Sequence, residues 1–207
     1  MDSSIKNEVG RYYTEKMNQF GFTAKGVDWN STESQVLRFD QLSRILPEQK
    51  TEAFSLLDFG CGYGALFERL VQQRENFTYV GYDISPEMIA HCKSKFPHKN
   101  LSFYSEEEKL PTVDFVLASG VFSVKVQFDD SVWLTYILGS LQKLFELSRK
   151  GIAVNFLTKY SDAGYLKDHL YYADPLYLFD YCKKNFSPKV AILHDYPLYE
   201  FTLLIRK

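Results

Sequence analysis

Seven short apolar runs punctuate the chain from residue 54 onward: Phe54–Phe59, Phe77–Tyr82, Leu101–Tyr104, Val113–Ala118, Gly151–Leu157, Lys189–Leu193 and Glu200–Ile205. Four of the first five are followed by segments with helix potential, such as Ala65–Gln73 and Pro86–Phe96. Strands alternating with helices predict βαβ units and a parallel sheet. The runs are apolar along their length, as strands covered on both faces are. The last two differ. Only His194-Asp195-Tyr196-Pro197-Leu198-Tyr199 separates them, too little for a crossover helix, so they are expected to pair antiparallel. The pattern predicts an α/β fold with seven strands and the final strand reversed.

The first 50 residues stand outside this alternation. Glu33–Leu46 has helical spacing, with Val36, Leu37, Leu42, Ile45 and Leu46 apolar. Asn30 and Glu33 suggest a capping box, and Pro47 stops the helix. Upstream, Gly21–Trp29 reads as a loop. Residues 1–50 are therefore expected to form a helical cap or lid over the open end of a 51–207 core. A second cap element is expected near 158–175, between the fifth strand and the helix containing Tyr177–Asn185. No internal repeat or low-complexity tract interrupts the chain.

Composition narrows the partners. The balance of 24 Lys+Arg against 26 Asp+Glu leaves −2, so no strong basic field exists to attract nucleic acid or anionic lipid. No apolar run approaches the ~18–20 residues of a membrane span, and Met1-Asp2-Ser3-Ser4-Ile5-Lys6 lacks a signal peptide's apolar stretch. Cys61, Cys92 and Cys182 form neither a disulfide framework nor a ligand-spaced metal site. A cytoplasmic location and no metal are expected. Aromatic residues make up 16 %, and eight of the 15 tyrosines follow position 159.

The strongest chemical signal is Leu56-Leu57-Asp58-Phe59-Gly60-Cys61-Gly62-Tyr63-Gly64-Ala65-Leu66. A strand runs into a glycine turn and then a helix, where backbone and free N–H groups can approach a ligand. Gly60-x-Gly62-x-x-Ala65 also satisfies the dinucleotide fingerprint. Asp58 discriminates: a carboxylate there opposes a pyrophosphate and suits a cation such as an amino group. Asp83 ends the second strand, where an acid accepts hydrogen bonds from ribose hydroxyls. Ser85 and Pro86 then open a helix as N-cap and first residue.

Asp58-x-Gly60-x-Gly62-x-Gly64, Asp83 after the second strand, and the terminal antiparallel pair resemble the class I S-adenosylmethionine-dependent methyltransferases. The resemblance covers residues 54–207. It implies a Rossmann-like, mostly parallel sheet of order 3-2-1-4-5-7-6 with strand 7 antiparallel. It also implies that Asp58, Gly60, Cys61, Gly62 and Asp83 hold S-adenosylmethionine, with S-adenosylhomocysteine as product. Ile84 is expected under the adenine. Ser105-Glu106-Glu107-Glu108 is either an adenine contact or a solvated acidic loop. Gly26–Phe39, Asn155-Phe156-Leu157 and Asp195–Thr202 resemble a bacterial methyltransferase group of small-molecule type.

Family sites form at the ends of strands four and five, which puts Ser119 and Gly120 beside the cofactor's methionine end. The chain has Ala118-Ser119-Gly120-Val121 where some amine methyltransferases carry Asn/Asp-Pro-Pro-Tyr/Phe. That departure argues against base-amine or glutamine methylation. Asn155 interrupts an apolar strand and is either a structural hydrogen-bonding group or part of the site. Arg38 either forks onto the methionine carboxylate or forms a salt bridge. Trp29 is either a core anchor or a substrate wall. Tyr160, Tyr165, Tyr171 and Tyr172 either wall an acceptor pocket or pack the cap, with Tyr160 and Tyr172 taken as acceptor contacts. Of four histidines, His169 in the second cap element is the candidate base; His91, His98 and His194 fall elsewhere.

The expected activity is methyl transfer to an oxygen or nitrogen of a small organic acceptor, by a monomer or homodimer. A NAD-dependent oxidoreductase or epimerase and a non-catalytic binding module are the alternatives. Nucleic acid is disfavoured as an acceptor.

Overall fold

The structure, a computed structural model, describes residues 3–97 and 99–207. The expectations touching Met1, Asp2 and His98 lie outside the described residues. Seven strands form one sheet: β1 (Phe54–Phe59), β2 (Phe77–Tyr82), β3 (Leu101–Tyr104), β4 (Val113–Ala118), β5 (Ser148–Leu157), β6 (Lys189–Leu193) and β7 (Glu200–Arg206). The order is β3-β2-β1-β4-β5-β7-β6. All neighbours pair parallel except β7, which runs antiparallel to both β5 and β6. Order and reversal agree with the sequence reading.

Among the described residues six α-helices accompany the sheet: α1 (Ser3–Phe20), α2 (Thr32–Leu42), α3 (Ala65–Val71), α4 (Pro86–Lys95), α5 (Asp130–Leu147) and α6 (Pro175–Asn185). The pleat sends successive side chains to opposite faces. Leu57, Val116, Val154 and Leu203 meet Trp133, Ile137 and Leu141 of α5 and Leu178 of α6. Leu56, Leu117, Ala153 and Leu204 meet Phe39 and Leu42 of α2, Leu66 and Leu70 of α3, and Ile89 and Cys92 of α4. Among the described residues no helix is long and apolar enough to cross a membrane.

The N-terminal region differs in detail from the reading above. The cap of α2 is Ser31, whose hydroxyl accepts from the Ser34 amide at 3.1 Å, rather than Asn30. A 3-10 turn over Ser43–Ile45 follows α2. Phe39, Leu42, Ile45 and Leu46 share one core with Leu56 and Leu117, so α2 is also a layer helix on the sheet face. The covering role falls mainly to α1, where Ile5, Val9 and Met17 are buried.

Candidate functional site

The site is built where β1 and β4 end. Past Phe59 the chain turns over the end of β2: the Gly60 and Cys61 amides both donate to the Tyr82 carbonyl, at 2.7 and 2.8 Å. Gly60 has φ 85°, and a Cβ there would lie 2.5 Å from Val121 Cγ2. Only glycine meets both demands. Asp83 braces the same loop. Its Oδ2 accepts from the Gly62 amide at 2.8 Å and its Oδ1 from the Ser85 amide at 2.9 Å. Each oxygen retains a lone pair for a ligand hydroxyl.

An inner cavity lies above this loop, lined by Asp58, Gly60, Cys61, Gly62, Asp83, Ile84, Ser119 and Gly120, with Trp29 and Tyr13 on the covering side. Asp58 is 2 % exposed and takes the Tyr79 hydroxyl on Oδ2 at 2.6 Å. Burial pushes its carboxyl up to about 7, against the lowering effect of Tyr79, and the charge of Asp83 adds to the rise. Burial also raises Asp83, opposed by its two backbone donors. The cation lining this cavity, Lys6, is paired with Glu107. Two desolvated carboxylates and a cradle of glycines suit a ligand that brings cations and a diol. They oppose a pyrophosphate. The buried Ser119 hydroxyl, which has no protein partner, adds a polar group for such a ligand. S-adenosylmethionine brings an ammonium, a sulfonium and a ribose diol, and the site fits it.

A pH dependence follows from Asp58. Its pKa is raised above the usual carboxylate range, so its burial destabilises the ligand-free fold as pH rises from about 4 through about 7. A bound ammonium favours the ionised form. S-adenosylhomocysteine is therefore expected to bind about tenfold more tightly at about pH 8 than at about pH 6. Calorimetry checks this, and Asp58→Asn is expected to flatten the profile.

An outer cavity of about 630 Å³ adjoins the first. Tyr13, Val27, Trp29 and Gly120 line both and form the neck between them. A Cβ on Gly120 (φ 72°) would fall 2.2 Å from the Trp29 ring, so the indole lies directly on this glycine. Tyr165, Tyr172, Tyr196, Tyr199, Asp28 and Lys167 contribute to the outer wall.

The structure separates the other expected site residues. Arg38 does not line the inner cavity. Its guanidinium forks onto Glu200 at the start of β7, with Nε 2.8 and 2.9 Å from the two carboxylate oxygens. It also stacks over Trp29 at 3.9 Å. A buried guanidinium requires a carboxylate, and Glu200 supplies it from 162 positions away, so the fork is closed to the methionine carboxylate. Asn155 lines neither cavity. Its Oδ1 accepts from the Gly120 amide at 2.7 Å and its Nδ2 donates to Glu200 at 2.7 Å. Arg38, Glu200 and Asn155 thus form one buried chain ending on the neck glycine.

Tyr160 is 56 % exposed and lines neither cavity. Tyr172 lines the outer one, where its hydroxyl donates to the Tyr165 carbonyl and accepts from the Lys167 amide, both at 3.0 Å. The His169 imidazole lines neither cavity and sits beside Tyr12, 6.1 Å between ring centres. Its carbonyl accepts from the Lys125 and Val126 amides, which holds Val126 at φ 55°. The contribution of His169 here is made by its main chain. Of the acidic stretch, Glu107 is 3 % exposed and paired with Lys6 and Lys143, so it is neither an adenine contact nor solvated. The reading missed Tyr13, Asp28 and Glu200. Of these only Tyr13 carried a sequence signal, the four-residue spacing Ile5, Val9, Tyr13, Met17 on one helix face.

Comparison with known proteins agrees with this geometry. The sequence pattern of a family described as "Methyltransferase domain" matches residues 57–143. The Mycobacterium tuberculosis protein named "Putative methyltransferase Rv1506c" is 44 % identical over 157 residues, 75 % of this chain and 95 % of that protein. Two solved structures share the fold at low identity. Magnesium protoporphyrin IX methyltransferase from Synechocystis PCC 6803, with S-adenosylmethionine bound, has TM-score 0.68 and 15 % identity over 100 % of this chain and 98 % of its own. Human N-acetylserotonin methyltransferase, also with S-adenosylmethionine, has TM-score 0.68 and 13 % identity over 99 % of this chain and 59 % of its own. With sheet order, glycine loop and close relative in agreement, the chain belongs to the class I S-adenosylmethionine-dependent methyltransferases.

Proposed function

We propose that the protein transfers the methyl group of S-adenosylmethionine to an oxygen or nitrogen of a small organic acceptor held in the outer cavity. The observation carrying this is the shared neck: the outer cavity opens onto the cofactor site through Tyr13, Val27, Trp29 and Gly120. S-adenosylmethionine supplies an electrophilic methyl on a sulfonium. Asp58 would hold its ammonium, Gly60 and Gly62 its methionine and ribose portions, Asp83 its ribose hydroxyls and Ile84 its adenine. Residues 1–50, through α1 and Trp29, cover the cofactor, and the 158–175 segment closes the acceptor side. Both exclude water and orient the acceptor. The acceptors in the names of the two proteins of like fold, magnesium protoporphyrin IX and N-acetylserotonin, are small organic molecules.

The test uses S-adenosylmethionine with a deuterated methyl group, incubated with the protein and a fractionated cell extract. Label is expected in the small-molecule fraction, on oxygen or nitrogen. Label confined to protein or nucleic acid would overturn the reading.

A further inference from the structure

Asp28 occupies a position with a chemical consequence. It lies in sequence between Val27 and Trp29, which line both cavities, yet it lines only the outer one. Asp28 therefore stands on the acceptor side of the neck. The backbone at Asp28 is left-handed, φ 62°, a conformation that costs about 1 kcal/mol or more outside glycine. Two donors from α1 hold the side chain: Tyr12 Oη to Oδ2 at 2.6 Å and Lys16 Nζ to Oδ1 at 2.7 Å. Burial and the charge of Asp28 push the Tyr12 phenol well above its ordinary range, so Tyr12 stays protonated and donating. The carboxylate side chain is 27 % exposed, and its two partners leave lone pairs open to a further donor.

No other group lining the outer cavity matches this. Glu200 is 1 % exposed and already accepts from Arg38 and Asn155. None of the described histidines lines either cavity. The cavity's other features describe a ligand. Its walls are aromatic, from Tyr13, Trp29, Tyr165, Tyr196 and Tyr199. The buried Ser123 hydroxyl lacks a protein partner. Of the charged groups lining the cavity, Asp28 is neutralised by Lys16 and Arg38 by Glu200, and the remaining one, Lys167, is exposed to solvent. Aromatic faces with single donors and acceptors, and no unpaired buried charge, suit an uncharged ring compound with hydroxyls. A carboxylate at the neck also decides between acceptor atoms. It would hold an amine as ammonium, whose lone pair is unavailable, whereas it accepts a hydroxyl's hydrogen without blocking the oxygen.

We propose that Asp28 takes the hydrogen bond and then the proton of the methylated hydroxyl, and that the acceptor is an uncharged, hydroxyl-bearing ring compound. The inference rests on the outer cavity being the acceptor site. The hydroxyl oxygen forms the new O–CH3 bond with a lone pair, the S–CH3 bond breaks with its electron pair kept by sulfur, and the O–H proton ends on an Asp28 oxygen.

The experiment first titrates S-adenosylhomocysteine into the wild type, Asp28→Asn and Asp28→Gly, since both replacements accept left-handed backbone. The saturated proteins are then titrated with phenol and with methyl α-glucoside as hydroxyl probes, and with benzoate and benzylamine as charged controls. Trp29 fluorescence is the readout, because the other tryptophan, Trp133 on the sheet-facing side of α5, is fully buried and lines neither cavity. At least one hydroxyl probe is expected to bind at millimolar concentration. Which one binds separates an aromatic from a sugar hydroxyl. Its affinity is expected to fall roughly tenfold in both variants, with S-adenosylhomocysteine affinity unchanged. Single-turnover transfer to that probe is expected to fall about 100-fold in Asp28→Asn. Equal probe binding and transfer by the variants, preference for a charged control, or silence of both hydroxyl probes on the saturated wild type would overturn the proposal. Failure of the wild type to bind S-adenosylhomocysteine would overturn the cofactor reading, and this proposal with it.

Discussion

Glu200→Ala is expected to destabilise the protein by about 3–5 kcal/mol, a drop in Tm on the order of 10 °C for a domain of this size. Arg38 and Glu200 are 5 % and 1 % exposed, so their charges are screened little by water. Removing the carboxylate strands a guanidinium already left with one unpartnered nitrogen, Nη1. It also takes the acceptor from Asn155 Nδ2. The cost is that of a buried, uncompensated charge. Replacing the pair together, Arg38→Met with Glu200→Leu, is therefore expected to recover most of the loss. Thermal unfolding of the two variants checks the argument. A Glu200→Ala protein melting with the wild type would show that the pair is solvated and carries little energy. The same variants report on the neck, because Arg38 stacks on Trp29 and Asn155 holds the Gly120 amide. Trp29 emission is expected to shift in Glu200→Ala.

Asp83→Ala is expected to weaken S-adenosylhomocysteine binding by about 100- to 10,000-fold. Two hydrogen bonds from ligand hydroxyls to a carboxylate are worth roughly 1.5–3 kcal/mol each, and each 1.4 kcal/mol is about tenfold. Stability is expected to change less. The variant frees the Gly62 and Ser85 amides but also removes a carboxylate that burial disfavours. Asp83→Asn keeps one oxygen acceptor and is expected to fall between. A fully folded Asp83→Ala protein with wild-type affinity would contradict the ribose assignment.

The sequence made some of this legible and hid the rest for physical reasons. The sheet was readable because β1, β4 and β5 are covered on both faces and carry mostly apolar residues along their buried stretches. The short His194–Tyr199 connection allowed only one pairing for the last two strands. The cofactor loop was readable because left-handed turns and close approaches admit little besides glycine, and Asp58 and Asp83 sit at strand ends that define their direction. α1 was missed as a helix. Its buried stripe is one side chain wide, Ile5, Val9 and Met17, in an otherwise polar segment. Arg38 was open between two partners because the carboxylate that claims it enters only at β7. In the sequence His169 stands out for its imidazole, in a segment expected to cover the acceptor. The fold instead uses its carbonyl to tie that segment to the loop after β4. Asp28 had no sequence signal beyond its neighbourhood, since its left-handed backbone and its partners on α1 are properties of the fold.

The central claim is that the glycine loop and its two acids form an S-adenosylmethionine site. Calorimetric titration of S-adenosylhomocysteine and of NADH into the wild type and Asp83→Ala tests it most directly. The account predicts one-to-one binding of S-adenosylhomocysteine to the wild type, loss of that binding in Asp83→Ala, and no binding of NADH. NADH binding without S-adenosylhomocysteine binding would contradict it, because a pyrophosphate would then sit beside Asp58.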